Sequence, residues 1–259
     1  MILLRELVKT DFKLRYQGSL LGHVWSVVKP LALFFVMYMV FVRFLKFGAG
    51  IPHFAISLLL AITIWQFFSE AVGQGMNSVV ARGDLLRKIN FPKVIVVISA
   101  TVNALINLSI NLGVVLVFAV INGVDFHWHI LLAPLLLIEL YVFALALALL
   151  LSALYVRFRD IQHIWDVIMQ AWFYATPIIY PITMVAAVSV TASKILILTP
   201  IAQIIQDMRY LVVYDGTDTA WNYIADPFAP FIPLLIVIIL LIIGIRYFAR
   251  QSQKFAEET

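Results

Sequence analysis

The sequence predicts an all-α polytopic membrane protein with six transmembrane helices, an N-terminal amphipathic interface helix, and short re-entrant outer-side helices between helices 5 and 6. Three observations carry that reading. Hydrophobic residues make up 63% of the chain and charged residues only 12%, against roughly 45–50% and 25% in soluble domains. The apolar residues gather into runs long enough to cross a bilayer, which takes about 20 residues per helix. The basic residues gather on one side of the topology that those runs define. The 259 residues make one membrane domain, 1–259, with an interface helix (1–22), a charged cytoplasmic segment (82–93) and an outer-side excursion (182–230).

Residues 2–17 place Leu4, Val8, Phe12 and Tyr16 in one row. Arg5, Lys9 and Lys13 form a second row about 100° round the helix. Such a helix lies on the membrane surface, its apolar row in the acyl boundary and its cations toward headgroups or a partner. Its mixture of charged and apolar residues leaves no continuous signal-peptide core, so no cleavage is expected. After Gly18 and Gly22 the first crossing runs over about 24–44, with Lys29 free to snorkel and Pro30 bending or opening the span. The second covers about 54–72, the third 94–121 and the fourth 130–156. A fifth starts near Ile164 and is broken by Pro177 and Pro181. The less apolar stretch that follows reads as short outer-side helices or a re-entrant excursion. The last crossing covers about 231–248.

Charge fixes the orientation. With both termini cytoplasmic, the inner segments hold Arg5, Lys9, Lys13, Arg15, Lys29, Arg82, Arg87, Lys88, Lys93, Arg157, Arg159, Arg246, Arg250 and Lys254. The outer segments hold only Arg43, Lys46, Lys194 and Arg209. That asymmetry is the positive-inside pattern for an even number of crossings. Because the basic residues are distributed over several loops, they argue for orientation and against nucleic-acid binding. There is no cysteine, which excludes disulfides, thiolate catalysis and Cys-ligated metal.

Four stretches carry a family resemblance in order along the chain. They are RYQGSLLGHVWSVVKPL, with Arg15, Tyr16, Ser19, Leu21, Gly22, Trp25 and Pro30; LLRKINFPK; LYVRFRDI; and TPIIYP followed by TPIAQIIQDMRYLV. Together they resemble the permease subunits of ABC-2 type polysaccharide exporters, which move O-antigen, capsule, teichoic acid or rhamnose-rich wall polymers. The resemblance implies a homodimeric channel in the plasma (inner) membrane and two separate ATP-binding subunits that hold ATP and magnesium. It also implies a coupling helix between helices 2 and 3, and a substrate built on a lipid-linked phosphate or pyrophosphate. The chain itself has no G-x-x-x-x-G-K-[ST] loop and no soluble region large enough for a nucleotide domain, so no cofactor is expected on it. No carbohydrate-binding module is expected at its short C-terminal end.

Three groups of residues are candidates for the work of such a permease. Arg82, Asp84, Arg87, Lys88 and Asn90, with Phe91 and Pro92 as an apolar knob and stiff bend, read as a coupling segment or as an ordinary positive-inside loop. Arg5, Lys9, Lys13, Arg15, His23 and Lys29 are placed to meet a lipid phosphate headgroup, or to attract anionic lipid or an ATPase. Phe34, Tyr38, Phe41, Trp65, Phe68, Trp172, Phe173 and Tyr174 either line a channel, where sugar C–H faces stack on rings, or pack in the core and face lipid.

Other features have structural readings. Ser99, Asn103, Asn107 and Asn111 repeat every four residues and favour bonding between helices over cargo contact. Ala144, Ala148 and Ser152 form a seam for close helix packing. Glu70 and Glu139 each require a partner, a cavity or an interface. His127 and His129, with Asp125 nearby, fall short of a zinc site. No arrangement of catalytic residues emerges, so this chain is not expected to be an enzyme. The competing functions are a drug or lipid exporter, a membrane scaffold without transport activity, and a proton-driven carrier using Glu70 and Glu139.

Overall fold

A computed structural model describes residues 2–15, 22–88, 91–253 and 255. Twelve α-helices are present among them, with no strand. The first, α1, spans Ile2–Arg15. A single 3-10 turn, Gly22–Val24, leads into α2, Trp25–Met37, which continues without interruption as π-helical turns over Tyr38–Phe44. Then come α3 (Phe54–Ala81), α4 (Gly83–Lys88), α5 (Val94–Ile121) and, after a 3-10 lead-in over Trp128–Leu132, α6 (Ala133–Arg157). The remaining helices are α7 (Ile161–Ala175), α8 (Ile182–Val188), α9 (Val190–Ile197), α10 (Pro200–Val212), α11 (Ala220–Tyr223) and α12 (Ile232–Gln251).

Five helical segments are long and apolar enough to cross a membrane: Trp25–Phe44, Phe54–Ala81, Val94–Ile121, Trp128–Arg157 and Ala229–Gln251. By length and composition alone, a sixth is reached among the described residues only if α9 and α10, bent by 86° at their junction, are taken as one span. The expected fifth crossing appears as α7, whose 15 residues make about 22 Å of helix at 1.5 Å per residue. That is short of the roughly 30 Å hydrocarbon core. Its end is set by sequence: Thr176, which precedes Pro177, sits at ψ 138°, because the proline ring disfavours a helical conformation in the residue before it.

The central element is α3. From Ile56 to Trp65 every residue is buried, polar Ser57 and Thr63 included, as befits a helix that is apolar on all sides. It packs against α5 on one side and α6 on the other, and α6 also carries α12. Two glycines permit these approaches. A Cβ on Gly75 would lie 2.5 Å from the Ala148 Cβ, and one on Gly244 would lie 2.6 Å from the Ala146 carbonyl oxygen. The small-residue seam on α6 therefore meets α3 at Ala148, and α12 approaches the α6 backbone at Ala146, on another face. The outward faces of α5, α6 and α12 expose Val117, Val120, Ile138, Ile239, Ile242 and Ile245, a surface that suits lipid and not water.

Candidate functional site

A cleft of about 690 Å³ opens among α2, α3, α5 and α7. Its α2 wall consists of Trp25, Ser26, Lys29, Pro30, Leu33 and Met37, and its α7 wall includes Trp165, Asp166, Met169, Gln170, Phe173 and Tyr174. The floor is the polar edge of α3 and α5. Glu70 accepts hydrogen bonds from Asn107 Nδ2 at 2.7 Å and from Gln74 Nε2 at 3.2 Å. Asn111 Nδ2 donates to the Asn107 carbonyl at 2.9 Å and to the Ser26 carbonyl at 3.2 Å, tying α5 to the start of α2. Two lining residues have an atom left over among the described residues: Trp165 Nε1 is a buried donor and Asn107 Oδ1 a buried acceptor, neither hydrogen-bonded. A cleft with ring faces, a cation at Lys29, a carboxylate at Glu70 and these atoms can accommodate an amphiphile with apolar and polar parts.

The eight aromatic candidates separate into three groups. Trp65, Phe173 and Tyr174 line the cleft. Phe68 is wholly buried and stacks on Phe143 at 5.0 Å, while Trp172 meets Phe68 edge-on at 5.6 Å. These two therefore pin α7 to α3 and α6 behind the cleft wall. Phe34 and Phe41 pack against the core, and Tyr38 pairs with Phe34 at 5.8 Å beneath the Arg43 guanidinium. The residues that α2 gives the cleft are offset from this aromatic row.

The polar stripe on α5 bonds between helices. Besides the Asn107 and Asn111 bonds, Ser99 Oγ accepts from Arg82 Nη1 at 2.8 Å. Arg82 also reaches the Val96 carbonyl at 3.4 Å, so this member of the coupling group holds α3 to α5. Asp84, Arg87 and Lys88 are exposed on α4, with Asp84 in its first turn and Arg87 and Lys88 in its last, the order a helix dipole favours. Pro92 is exposed, Phe91 packs on a second apolar cluster, and Asn90 lies outside the described residues. Lys93, beside them, donates to the Ser252 carbonyl and lies 5.8 Å from the Phe255 ring. The end of α12 is thus tied to the charged segment, and Phe255 is buried in the same cluster as Val96 and Val97.

Of the headgroup candidates, Arg5 and Lys9 are exposed on α1, which packs along α5, and Lys29 is exposed at the cleft. The side chains of Lys13, Arg15 and His23 lie outside the described residues. Glu139, on α6, is half-buried, and among the described residues its Oε1 is buried without a hydrogen bond.

The residue whose role sequence reasoning missed is Arg209. Counted among the cations of the outer segments, it is 3% exposed. Its guanidinium donates from Nε to the Ser57 carbonyl (3.2 Å), from Nη1 to the Pro177 carbonyl (2.8 Å) and Gln206 Oε1 (2.7 Å), and from Nη2 to the Ile178 carbonyl (2.7 Å). The proline break after α7 frees buried carbonyls, and irregular backbone in such a place persists only when protein groups satisfy it. Arg209 does so with a fork that also holds α10 to the start of α3. One signal was available in the sequence: Gln203, Gln206, Asp207 and Arg209 stand inside the apolar run that follows Pro200, and polar groups so placed require partners.

Apolar helices of crossing length around a mixed aromatic and polar cleft define a multi-pass membrane protein. The chain belongs to the ABC-2 type transporter family, whose profile matches residues 2–211. It is therefore a transporter membrane subunit and not itself an enzyme. It is similar to the O-antigen export system permease protein RfbA of Myxococcus xanthus, 35% identical over 181 residues, which cover 70% of this chain and 69% of that protein. Two Klebsiella pneumoniae proteins of the same name are 27% and 25% identical over 259 and 261 residues, each alignment covering 98% of this chain and 94% of the relative.

Proposed function

We propose that the chain is the permease half of an exporter that moves a lipid-linked cell-envelope polysaccharide from the cytoplasmic to the outer side of the plasma membrane. The observation that carries this reading is the cleft between α2 and α7, in a chain similar along nearly its whole length to O-antigen export permeases. Two copies form the channel, and two separate ATP-binding subunits hold ATP and magnesium. Those subunits grip the exposed Asp84, Arg87 and Lys88 of α4. Lys29 meets the lipid phosphate, and Trp65, Phe173 and Tyr174 offer ring faces along which sugar slides without tight binding. Arg5 and Lys9 hold α1 to anionic lipid.

Six crossings with both ends cytoplasmic fit this role, and the packing supports them. The loop between α2 and α3, the loop between α5 and α6, and the end of α10 line a common pocket through His53, Asp125 and Tyr214. They therefore share one face. Residue 157, at the end of α6, is at the opposite face, so one crossing falls between it and residue 210. The short α7 supplies that crossing together with the turn after it, whose Pro177 and Ile178 carbonyls meet Arg209 beside Ser57 at the start of α3, and α12 returns the chain.

The test is ATPase activity of the complex co-purified from cells and reconstituted in lipid. Lipid-linked glycan is expected to stimulate hydrolysis, and surface polysaccharide is expected to disappear when the gene is deleted. Stimulation by drugs or phospholipids alone makes the chain a drug or lipid exporter. No response to any cargo makes it a scaffold.

A further inference from the structure

We propose that the pocket where these three segments meet, at the α10 end of the bundle, binds a single neutral sugar ring. The pocket has a volume of about 260 Å³. That lies below the roughly 300–1,000 Å³ of sites for drug-sized ligands, so it admits one ring and not an oligosaccharide. Its wall carries two carboxylates, Asp125 and Asp215; two imidazoles, His53 and His127; and two phenol rings, Tyr210 and Tyr214. Val212 and Val213 are buried and add apolar surface.

These groups match a pyranose. Its rim of hydroxyls donates to carboxylates and exchanges hydrogen bonds with imidazole, while its C–H face stacks on tyrosine. Among the described residues the lining holds no lysine or arginine, so a phosphate or uronate meets two carboxylates with neither of these to offset them. A metal ion needs its ligands to converge on one point. Among the described residues, no three His, Cys, Asp or Glu side chains do so. Carboxylates and imidazoles separated in this way suit several hydroxyls spaced round a ring.

The backbone holds the pocket open. His53 adopts φ 51°, ψ 29°, left-handed values uncommon outside glycine. In that conformation its carbonyl accepts from Ile56 and Ser57, opening α3, and the Ser57 carbonyl in turn receives Arg209. The Tyr210 ring lies 6.0 Å from His129. Three segments distant in sequence, two loops and the end of α10, are therefore fixed in relation to one another before a ligand arrives, which lowers the cost of binding.

The inference rests on the proposed function only for the assignment of this face to the cell exterior. A test that leaves both faces open separates the two. The purified protein, reconstituted with its ATP-binding partners in nanodiscs, is titrated with glucose, galactose, mannose, rhamnose and N-acetylglucosamine, and saturation-transfer NMR reads contact with the ring protons. At least one sugar is expected to receive saturation, and Asp125→Asn with Asp215→Asn to weaken it about tenfold or more, as lost charge-assisted hydrogen bonds do. Tyr214→Ala is a second, independent variant with the same expected direction. Melting temperatures of the variants show that the bundle persists. No transfer from any sugar overturns the proposal, as does transfer unchanged in both variants, or zinc binding abolished by Asp125→Asn in a protein that takes no sugar. Loss of glycan-stimulated ATPase with sugar binding intact rejects the export reading and leaves this site standing.

Discussion

The two ends of the bundle use arginine in opposite ways. At the α10 end, Arg209 is buried and divides its guanidinium among three backbone carbonyls and a glutamine. At the α4 end, Arg87 and Lys88 stand exposed on a six-residue helix. A loop charge in a membrane sequence is ordinarily read as an orientation signal, and that reading does not separate the two cases. Arg209 completes the fold where prolines have broken a helix, whereas Arg87 and Lys88 are available to something outside the chain. The charged segment repeats the contrast on a smaller scale, since Arg82 and Lys93 turn inward to Ser99 and Ser252 while the two cations between them do not.

The contrast breaks most sharply at Arg209. Arg209→Met removes the donors for the buried Pro177 and Ile178 carbonyls and the additional donor of the Ser57 carbonyl, which lies within α3. An unsatisfied buried polar group costs about 1–3 kcal/mol, so the loss from the two carbonyls is expected to be about 2–6 kcal/mol and to appear as a large drop in melting temperature in detergent. Arg209→Lys is expected to recover little of it, because one ammonium cannot reproduce a planar fork that serves separate carbonyls. A melting temperature within a degree or two of the parent protein in either variant would mean that Arg209 is dispensable to the fold.

Smaller effects are expected where α6 meets α3 and α12. Gly75→Ala places a methyl against the Ala148 Cβ, and Gly244→Ala places one against the Ala146 carbonyl. Each is expected to cost about 1–3 kcal/mol through overpacking. The two differ in their rescue. Ala148→Gly removes the atom that Gly75→Ala meets, so the double variant is expected to regain most of the loss. No side-chain change removes a backbone carbonyl, so Gly244→Ala with Ala146→Gly is expected to remain destabilised. Thermal melts of the single and double variants provide the measurement.

The helical class and most of the apolar runs were legible in the sequence because hydrocarbon thickness dictates run length. The Asn107 and Asn111 bonds were legible for a related reason: residues four apart on an apolar helix share a face, and polar groups on that face seek neighbours. The aromatic candidates were less so. Trp65 and Phe68 differ by three positions, yet one lines the cleft and the other is enclosed by Phe143 and Trp172, a distinction set by the partner helix and not by spacing. The clamp of Arg209 on Pro177 and Ile178 was illegible because it joins residues about 30 apart, and only the folded chain shows that the break and the arginine meet.

The smallest change in stability, and the sharpest test of the contrast, belongs to α4. Arg87→Glu with Lys88→Glu alters two exposed side chains, so the melting temperature of the permease alone is expected to stay within the shift of a surface substitution, about ±0.5 kcal/mol. Under the proposed coupling to an ATP-binding partner, export is expected to be lost, because the reversed charges would oppose that partner's surface. Arg82→Gln should behave in the opposite order. It breaks the tie between α3 and Ser99, so the permease alone should melt earlier, and any loss of export should follow the loss of folded protein. Measuring melting temperature and surface polysaccharide for both variants separates the inward-facing from the outward-facing half of one twelve-residue segment. If the Arg87 and Lys88 variant exports normally, the exposed cations orient the chain and do nothing more, and force enters the permease elsewhere.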